Sequence, residues 1–190
     1  MSALVGDQPG SWPVLGSEEV FGNDYLRVTV DTIVDPSGAE HARTVVRSRD
    51  AVGILALDDD DRVLFVQQYR HPAQARLVEL PAGMLDIEGE DPADAARREL
   101  AEEADMQAAN LEPLLSLAST PGYSTERWQV FLATGLSSIT TDFVREAEEA
   151  DMDVWWLPFE DALEAVREGR ICDTMTVVSL LALADRRQRA

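Results

Sequence analysis

Three glutamates on one predicted helix are the first sign of chemistry in this sequence. Glu99, Glu102 and Glu103 are spaced by three and four positions, so a helix places their carboxylates on one face. Like charges this close repel each other. A divalent cation would turn that repulsion into binding, because Mg²⁺ prefers hard oxygen ligands. The spacing is compatible with a metal site that neutralises pyrophosphate oxygens and supplies a bound water as nucleophile.

A solvated acidic face is the alternative interpretation of this cluster, since such glutamate runs are common on surface helices. The residues that precede the cluster favour a site. Gly83 opens a loop that contains Glu90, and Arg98 follows Glu90 by eight positions. An arginine in that place can hold the glutamate in a fixed rotamer and so support a ligand set.

Together these residues resemble the Nudix box, whose pattern is G-x5-E-x7-R-E-U-x-E-E-x-G-U, with U an apolar residue. The gap from Glu90 to Arg98 matches, and the R-E-U-x-E-E core is intact. The sequence departs from the pattern in two places. Six residues instead of five lie between Gly83 and Glu90. Asp105 occupies the position of the family's second glycine. That glycine ends the helix in a left-handed conformation, which Asp tolerates better than most residues.

The resemblance implies roles for the residues of the box. Glu99 and Glu103 are expected to be the principal Mg²⁺ ligands, with Mn²⁺ as a possible replacement for Mg²⁺. Glu102 is expected to assist in metal binding and catalysis, directly or through water. The backbone carbonyl of Ala82 is the usual further ligand. The residues expected to orient the ligands without touching the metal are Glu90 and Arg98.

Further features resemble the ADP-ribose pyrophosphatase subfamily. Glu79–Gly83 matches the segment that leads into the box. Pro121 lies fifteen residues beyond Met106, at the position of a proline that marks the subfamily. The resemblance continues through residues 68–70 and 148–151, and it covers most of the chain.

The subfamily resemblance also implies residues that bind and attack the substrate. Arg70 is expected to clamp a phosphate, although a strand-end charge is an equal alternative. Glu126 is expected to bind the hydroxyls of the terminal ribose, the alternative being an ion pair with Arg127. The catalytic base is expected in the acidic loop 146–151, with Glu149 the first choice and Glu148 the second.

Family members are often homodimers in which N-terminal strands exchange and help to bind adenine, so we expect a homodimer here. Phe21 or Tyr25 could stack on the adenine, and Arg43 or Arg47 could reach it. A core role for the two aromatic residues is an equally good interpretation.

The function implied by the resemblance is Mg²⁺-dependent hydrolysis of ADP-ribose to AMP and ribose 5-phosphate. Another nucleoside diphosphate sugar or a dinucleotide is the nearest alternative substrate. A different class is a non-catalytic Nudix-fold module that binds nucleotides for regulation. Such modules are expected to lose box carboxylates, and this sequence keeps all three.

Hydrophobic alternation predicts the strands that must position these residues. The predicted strands are Tyr25–Val34, His41–Ser48, Ala51–Leu57, Val63–Tyr69, Leu77–Leu80, Leu114–Ala118, Trp128–Ala133 and Asp153–Leu157. The turn at Asp58–Asp61 predicts that the third and fourth of these strands form a hairpin. Disorder is expected only near the ends, where residues 1–16 carry much of the Gly, Pro and Ser.

Capping residues predict the helices. Asp91 is a good N-cap and Pro92 a good first residue, which predicts the carboxylate helix over Pro92–Ala104. Amphipathic helices are predicted at Pro158–Glu168 and Asp173–Arg187. The resulting fold class is α+β, a Nudix-like α/β/α sandwich with a mixed sheet. We expect an N-terminal antiparallel β extension over residues 1–50, for dimerisation and adenine contact, and the Nudix domain over 51–190.

The charge of the chain restricts its partners. The net charge is −20, which argues against nucleic acid and anionic membranes, since both attract basic proteins. The start of the chain lacks the features of a signal peptide, so we expect a cytoplasmic protein. A single cysteine, Cys172, excludes an intrachain disulfide, and its apolar neighbours predict a buried, inert thiol.

Overall fold

The computed structural model describes residues 6–144 and 151–189. Its helices are α1 (Pro92–Ala104), α2 (Phe159–Arg167) and α3 (Thr174–Arg189). A short 3₁₀ turn covers His71–Ala73. The strands are β1 (Val14–Gly22), β2 (Leu26–Val34), β3 (Glu40–Ser48), β4 (Ala51–Ala56), β5 (Arg62–Arg70), β6 (Ala75–Glu79), β7 (Ala82–Met84), β8 (Met106–Ala118), β9 (Arg127–Ser138) and β10 (Asp153–Pro158).

The chain packs as two compact units. The first contains the chain up to Ser48 together with Thr120–Glu126, and the second contains Arg49–Ser119 and the chain from Arg127 onwards. In the first unit, β1, β2 and β3 form an antiparallel sheet. The Val46 N–H donates to the Tyr123 carbonyl at 2.7 Å. The segment that contains Pro121 therefore lies alongside β3.

The second unit contains two sheets and all three helices. One sheet has the order β7-β4-β9-β8 and the other β10-β5-β6. The first of these is mixed, because β4 and β9 are parallel whereas the other pairs are antiparallel. This confirms the α+β class with a mixed sheet.

Alternating residues of β4 pack against helices on its two faces. Val52, Ile54 and Ala56 pack in a core cluster with the apolar residues of α1. Leu55 packs in a second cluster with apolar residues of α2 and α3. The alternation follows from the period of two in a strand, and it gives the α/β/α layering that the resemblance implied.

The predicted hairpin of β4 and β5 is wrong. Within the described residues these strands share one bridge, between Leu57 and Val63, and they then enter different sheets. Every residue of β4 is buried, so β4 needs partners on both edges and covers on both faces. It obtains its partners from β7 and β9, while β5 pairs with β6 and β10.

Two strands extend beyond the sequence-based prediction. The strand β1 begins at Val14, inside the segment where disorder was expected, and all of its residues are exposed. It therefore has no buried face from which to predict it. Strand β8 begins at Met106 instead of Leu114, and its pairing with β9 shifts register between Pro113 and Leu115. A proline in a strand is typical of such irregularities, and it hid the first half of β8.

Cys172 also differs from the prediction, because its side chain is exposed. It follows the buried Ile171 in the connection between α2 and α3. Apolar neighbours in sequence do not bury a residue in a turn, where successive side chains point in different directions. Among the described helices, none has the length and apolar character needed to cross a lipid bilayer.

Helix α1 begins and ends as predicted, at Pro92 and Ala104. Its N-cap is Asp91, whose carboxylate accepts from the Ala93 N–H at 2.8 Å. Asp105 ends the helix in the left-handed conformation, with φ 51° and ψ 38°. Its N–H donates to the Ala101 carbonyl at 3.1 Å. Asp105 therefore performs the backbone role of the glycine that it replaces.

Candidate active site and metal centre

Arg98 gathers three carboxylates of the box around one guanidinium. Its Nε and Nη2 donate to the two oxygens of Glu90 at 3.1 and 3.0 Å, and this pair lowers the pKa of Glu90. Its Nη1 donates both to Glu99 Oε1 at 2.7 Å and to Glu102 Oε2 at 3.1 Å. The predicted Glu90–Arg98 contact therefore exists, and it extends to two of the expected metal ligands.

The carboxylate of Glu99 lies in a space that only glycine at position 83 leaves open. A Cβ atom built on Gly83 would overlap that carboxylate, so the box requires glycine here for close approach. Burial raises the pKa of the Glu99 carboxyl to about 7, although Arg98 acts in the opposite direction. Burial, together with repulsion from Glu102 and Asp86, outweighs the favourable contact with Arg98.

Glu103 connects α1 to the segment that leads into the box. Its side chain is buried, with 3% of its surface exposed, and it accepts from the Ala82 N–H at 2.9 Å. Ala82 begins β7, which pairs with β4 at Gly53. The structure therefore brings the expected carboxylate ligand Glu103 and the expected backbone ligand Ala82 into direct contact.

The chemistry of these donors fits a divalent cation of the Mg²⁺ type. All are oxygen donors, and Glu99 and Glu102 both reach one positive charge, the Nη1 group of Arg98. Within residues 6–144 and 151–189, no three His, Cys, Asp or Glu side chains are grouped so that they could hold a metal ion. Arg98 attracts two of the glutamates, and the Ala82 amide attracts the third. The donor set fits such an ion in kind, and the pKa of the largely buried Glu99 carboxyl is raised to about 7.

Arg70 is paired with a buried carboxylate that the sequence-based analysis did not identify as part of the site. Its Nε and Nη2 donate to Glu79, with contacts of 2.9 Å to Oε1 and 2.6 Å to Oε2. Glu79 is 6% exposed. This pairing raises the pKa of Arg70, and Glu103 and Asp173 raise it further. Glu79 could have been suspected from its position at the end of a strand next to the box.

The residues expected to contact adenine and ribose belong to the first unit. Arg47 donates from Nη2 to Asp31 Oδ2 at 2.6 Å and from Nε to Thr29 Oγ1 at 3.3 Å. Residues of the neighbouring strand β2 therefore hold the Arg47 guanidinium by hydrogen bonds. The side chains of Phe21 and Tyr25 are exposed, so the core role considered for them is wrong in the described chain. The exposed Arg43 donates from Nη1 to the Ala42 carbonyl at 2.9 Å.

Three further residues were expected to bind the ribose or to act as the base. Glu126 lies half-buried in the segment alongside β3, and its backbone N–H donates to Ser124 Oγ at 3.1 Å. Glu148 and Glu149, the expected bases, lie outside the described residues. Their roles remain predictions.

Comparisons with known proteins match most of this chain. The family model described as NUDIX domain matches residues 47–172. The ADP-ribose pyrophosphatase of Mycobacterium tuberculosis is 38% identical over 169 residues, which cover 89% of this chain and 81% of that protein. The methanol dehydrogenase activator of Bacillus methanolicus is 34% identical over 164 residues, which cover 86% of this chain and 88% of that protein.

A solved structure described as that of an ADP compounds hydrolase superimposes with a TM-score of 0.81 at 17% sequence identity. The match covers 96% of this chain and 97% of that chain, and it confirms the fold. The family model and the relatives confirm the resemblance that the box suggested. This chain belongs to the NUDIX family of hydrolases.

Proposed function

We propose that this chain hydrolyses the pyrophosphate bond of ADP-ribose to AMP and ribose 5-phosphate, with Mg²⁺ as its metal and Mn²⁺ as a replacement. The observation that carries the proposal is the cluster of carboxylates at α1, where Arg98 donates to Glu90, Glu99 and Glu102 and the pKa of the largely buried Glu99 is raised to about 7. The relative from Mycobacterium tuberculosis, named as an ADP-ribose pyrophosphatase, supports the choice of substrate.

The metal would be held by Glu99 and Glu103, with Glu102 and the Ala82 carbonyl as further ligands. When bound, it would neutralise pyrophosphate oxygens and supply an activated water. Arg98 holds Glu99 and Glu102 on the same side of α1, and Glu90 fixes Arg98 by two hydrogen bonds. These contacts orient the ligands before any ion binds.

Arg70 would bind a phosphate of the substrate. Its pair with Glu79 uses Nε and Nη2, and 45% of its side-chain surface is exposed. The remaining Nη1 group can donate to a phosphate oxygen while Glu79 holds the guanidinium in place. The negative charge of Glu103 contributes to the raised pKa of Arg70, which supports placing Arg70 near the carboxylates.

Glu149 would take the proton from the attacking water, with Glu148 as the second choice. A general base contributes about 10²–10⁴-fold to a rate, so Glu149→Gln is expected to lower kcat by that factor with a much smaller change in KM. Steady-state kinetics on Glu149→Gln and Glu148→Gln decide between the two residues. A larger loss of kcat in Glu148→Gln than in Glu149→Gln would identify Glu148 as the base.

The first unit would bind the adenosine half of the substrate and mediate dimerisation by exchange of N-terminal strands. Exposed apolar side chains on and near β1 support a surface that a second copy covers: Trp12, Val14, Leu15, Val20 and Phe21. Light scattering on the purified chain is expected to give twice the mass of one chain. A single-chain mass at micromolar concentration would contradict the dimer. The exposed, free Cys172 is compatible with the cytoplasmic location that we propose.

A second candidate function is a regulatory module, since one relative is named as an activator of another enzyme. The intact set of glutamates in the box favours catalysis, because a module that only binds is expected to lose box carboxylates, and this sequence keeps all three.

A substrate panel tests the proposed function. ADP-ribose, NADH, GDP-mannose and diadenosine polyphosphates are compared by kcat/KM in Mg²⁺. ADP-ribose is expected to give the highest value. A higher kcat/KM for another compound would identify that compound as the preferred substrate instead of ADP-ribose. No turnover of any compound in Mg²⁺ or Mn²⁺ would favour the regulatory module.

A further inference from the structure

The first turn of α3 contacts the segment that leads into the Nudix box. The Leu80 N–H donates to Thr176 Oγ1 at 3.0 Å. Thr176 is fully buried and Leu80 is 1% exposed. A buried backbone N–H needs a partner, and here a side chain supplies it from 96 positions further along the chain.

Asp173 fixes the orientation of the Thr176 hydroxyl. One of its oxygens, Oδ2, accepts from the Thr176 backbone N–H at 2.9 Å and from Thr176 Oγ1 at 2.8 Å. A hydroxyl has one proton to donate, and Asp173 receives it. The oxygen of Thr176 is therefore left as an acceptor that faces the Leu80 N–H.

The segment fixed in this way carries one of the groups assigned to the metal, the Ala82 carbonyl, and contacts another, Glu103. Two residues beyond Leu80, the Ala82 N–H donates to Glu103. Between them, the Pro81 carbonyl accepts from the Ile54 N–H at 2.8 Å. The segment is thus held by α3 at Leu80, by β4 at Pro81 and by α1 at Ala82.

The same turn of α3 also packs against the strand opposite Ala82. Gly53 of β4 pairs with Ala82, and a Cβ atom on Gly53 would overlap the sulfur of Met175. Met175 therefore approaches the backbone of β4 as closely as a glycine permits. Met175 thus lies against β4 at Gly53, and its neighbour Thr176 bonds to Leu80, two residues before β7 begins.

We propose that Thr176, oriented by Asp173, is a positioning residue for the Ala82 and Glu103 part of the metal site. The inference rests on the proposed function, because it assumes that these groups bind a divalent ion. The alternative role is purely structural, in which Thr176 and Asp173 only begin α3. The two roles differ in whether metal affinity changes separately from stability.

Titration of Mn²⁺ alone into the metal-free full chain, followed by calorimetry, tests the proposal. Thr176→Val keeps the side-chain shape and removes the acceptor of the Leu80 N–H. It is expected to weaken Mn²⁺ binding about tenfold, as loss of a supporting residue typically does. Thr176→Ser retains the hydroxyl and is expected to stay within about twofold of the unmodified chain.

Ser179→Ala is the matched control. Ser179 lies on the same helix, is also fully buried, and donates to the Met175 carbonyl at 2.6 Å. Its loss removes a buried hydrogen bond without touching the segment at Leu80, so Mn²⁺ affinity is expected to stay within about twofold. The melting temperature of each variant is measured in parallel. In kinetics, Thr176→Val is expected to raise the Mn²⁺ concentration for half-maximal rate more than the KM of the substrate.

A second pair of variants decides the question if Thr176→Val does not fold. Asp173→Asn and Asp173→Ala remove the same charge, but only Asn keeps an oxygen that accepts from Thr176. The Ala variant is expected to bind Mn²⁺ several-fold more weakly than the Asn variant. Equal affinities in this pair, or in Thr176→Val and Ser179→Ala, would overturn the positioning role. Failure of the unmodified chain to bind Mn²⁺ would instead overturn the proposed function on which it rests.

Discussion

Two arginine–carboxylate clusters in this protein differ in their balance of charge. In the Arg47 cluster (Ser17, Thr29, Asp31, Arg47), one carboxylate receives bonds from two hydroxyls and a guanidinium. In the Arg98 cluster (Glu90, Arg98, Glu99, Glu102), one guanidinium donates to three carboxylates. Hydrogen bonding, first from Ser17, lowers the pKa of Asp31, whereas burial raises the pKa of Glu99 to about 7. This contrast is what we expect if the Arg47 cluster stabilises the fold and the Arg98 cluster binds a cation.

The largest expected effect comes from the carboxylate ligands. Glu103→Gln retains an oxygen for the Ala82 N–H, so the fold should survive, but it removes a charge from the metal site. Metal ions contribute several kcal/mol to such reactions, so kcat/KM for ADP-ribose in Mg²⁺ should fall by about 10³-fold. Asp94→Asn, on an exposed position of the same helix, is the control and should stay within about twofold of the unmodified chain. Near-normal activity of Glu103→Gln would remove the metal assignment.

The next effect concerns the arginine that orients the ligands. Arg98→Ala leaves Glu90, Glu99 and Glu102 without their shared partner and should weaken Mn²⁺ binding by about 10–100-fold. Arg97→Ala is the control, since Arg97 contacts Asp94 on the exposed side of α1. Calorimetry with Mn²⁺ measures both variants. Tighter Mn²⁺ binding by Arg98→Ala would show that Arg98 competes with the metal instead of preparing its site.

Stability as a function of pH should change in opposite directions in the two clusters. A raised pKa means that the metal-free chain loses stability as the pH rises from 4.5 towards about 7. Glu99→Gln removes this loss and should stabilise the metal-free chain at pH 8 by on the order of 2 kcal/mol. Asp31 has a lowered pKa, so its contribution is present above the unfolded value of 3.8 and is lost in acid. Asp31→Asn should therefore destabilise the chain at pH 8, with a difference that disappears as the pH falls.

Urea unfolding of both variants at pH 5 and pH 8, in the presence of a chelator, makes this comparison. Saturating Mg²⁺ should reduce the difference in the free energy of unfolding between Glu99→Gln and the unmodified chain, because the ion stabilises the charged carboxylate of the unmodified chain. Destabilisation by Glu99→Gln at pH 8 without metal would contradict the description of the Arg98 cluster as having excess negative charge.

The smallest expected effect lies at the end of α1. Asp105→Gly restores the glycine of the family pattern and relieves a left-handed backbone, which costs a non-glycine residue about 1 kcal/mol. It also removes the bond from Thr141 Oγ1 to Asp105 Oδ1, 3.1 Å long, which is worth about 1 kcal/mol. The two terms offset each other, so the melting temperature and kcat/KM should change little. A loss of activity above about tenfold would show that the Asp105 side chain contributes to the site.

The parts of this protein that could be predicted from sequence depend on local chemistry. Asp91 and Pro92 predicted where α1 begins, and the glutamate spacing predicted which face carries the carboxylates, because both follow from helix geometry. The structure added contacts that span long separations, such as Arg70 with Glu79 and Thr176 with Leu80. No local pattern indicates such contacts.

The separation of β4 and β5 into two sheets was unpredictable for a related reason. Their short acidic turn is compatible with either a hairpin or a divergence, and the choice depends on partners elsewhere in the chain. For β4 these partners are β7 and β9. Strand β1 gave no signal because none of its residues is buried.

Analysis of the reaction products tests the central claim most directly. The unmodified chain is incubated with ADP-ribose in Mg²⁺ or in excess chelator, and the products are followed by phosphorus NMR. The proposed function predicts that the pyrophosphate signals give way to equal amounts of AMP and ribose 5-phosphate in Mg²⁺, and that they persist in chelator. Intact ADP-ribose in Mg²⁺, or equal turnover with and without chelator, would contradict it.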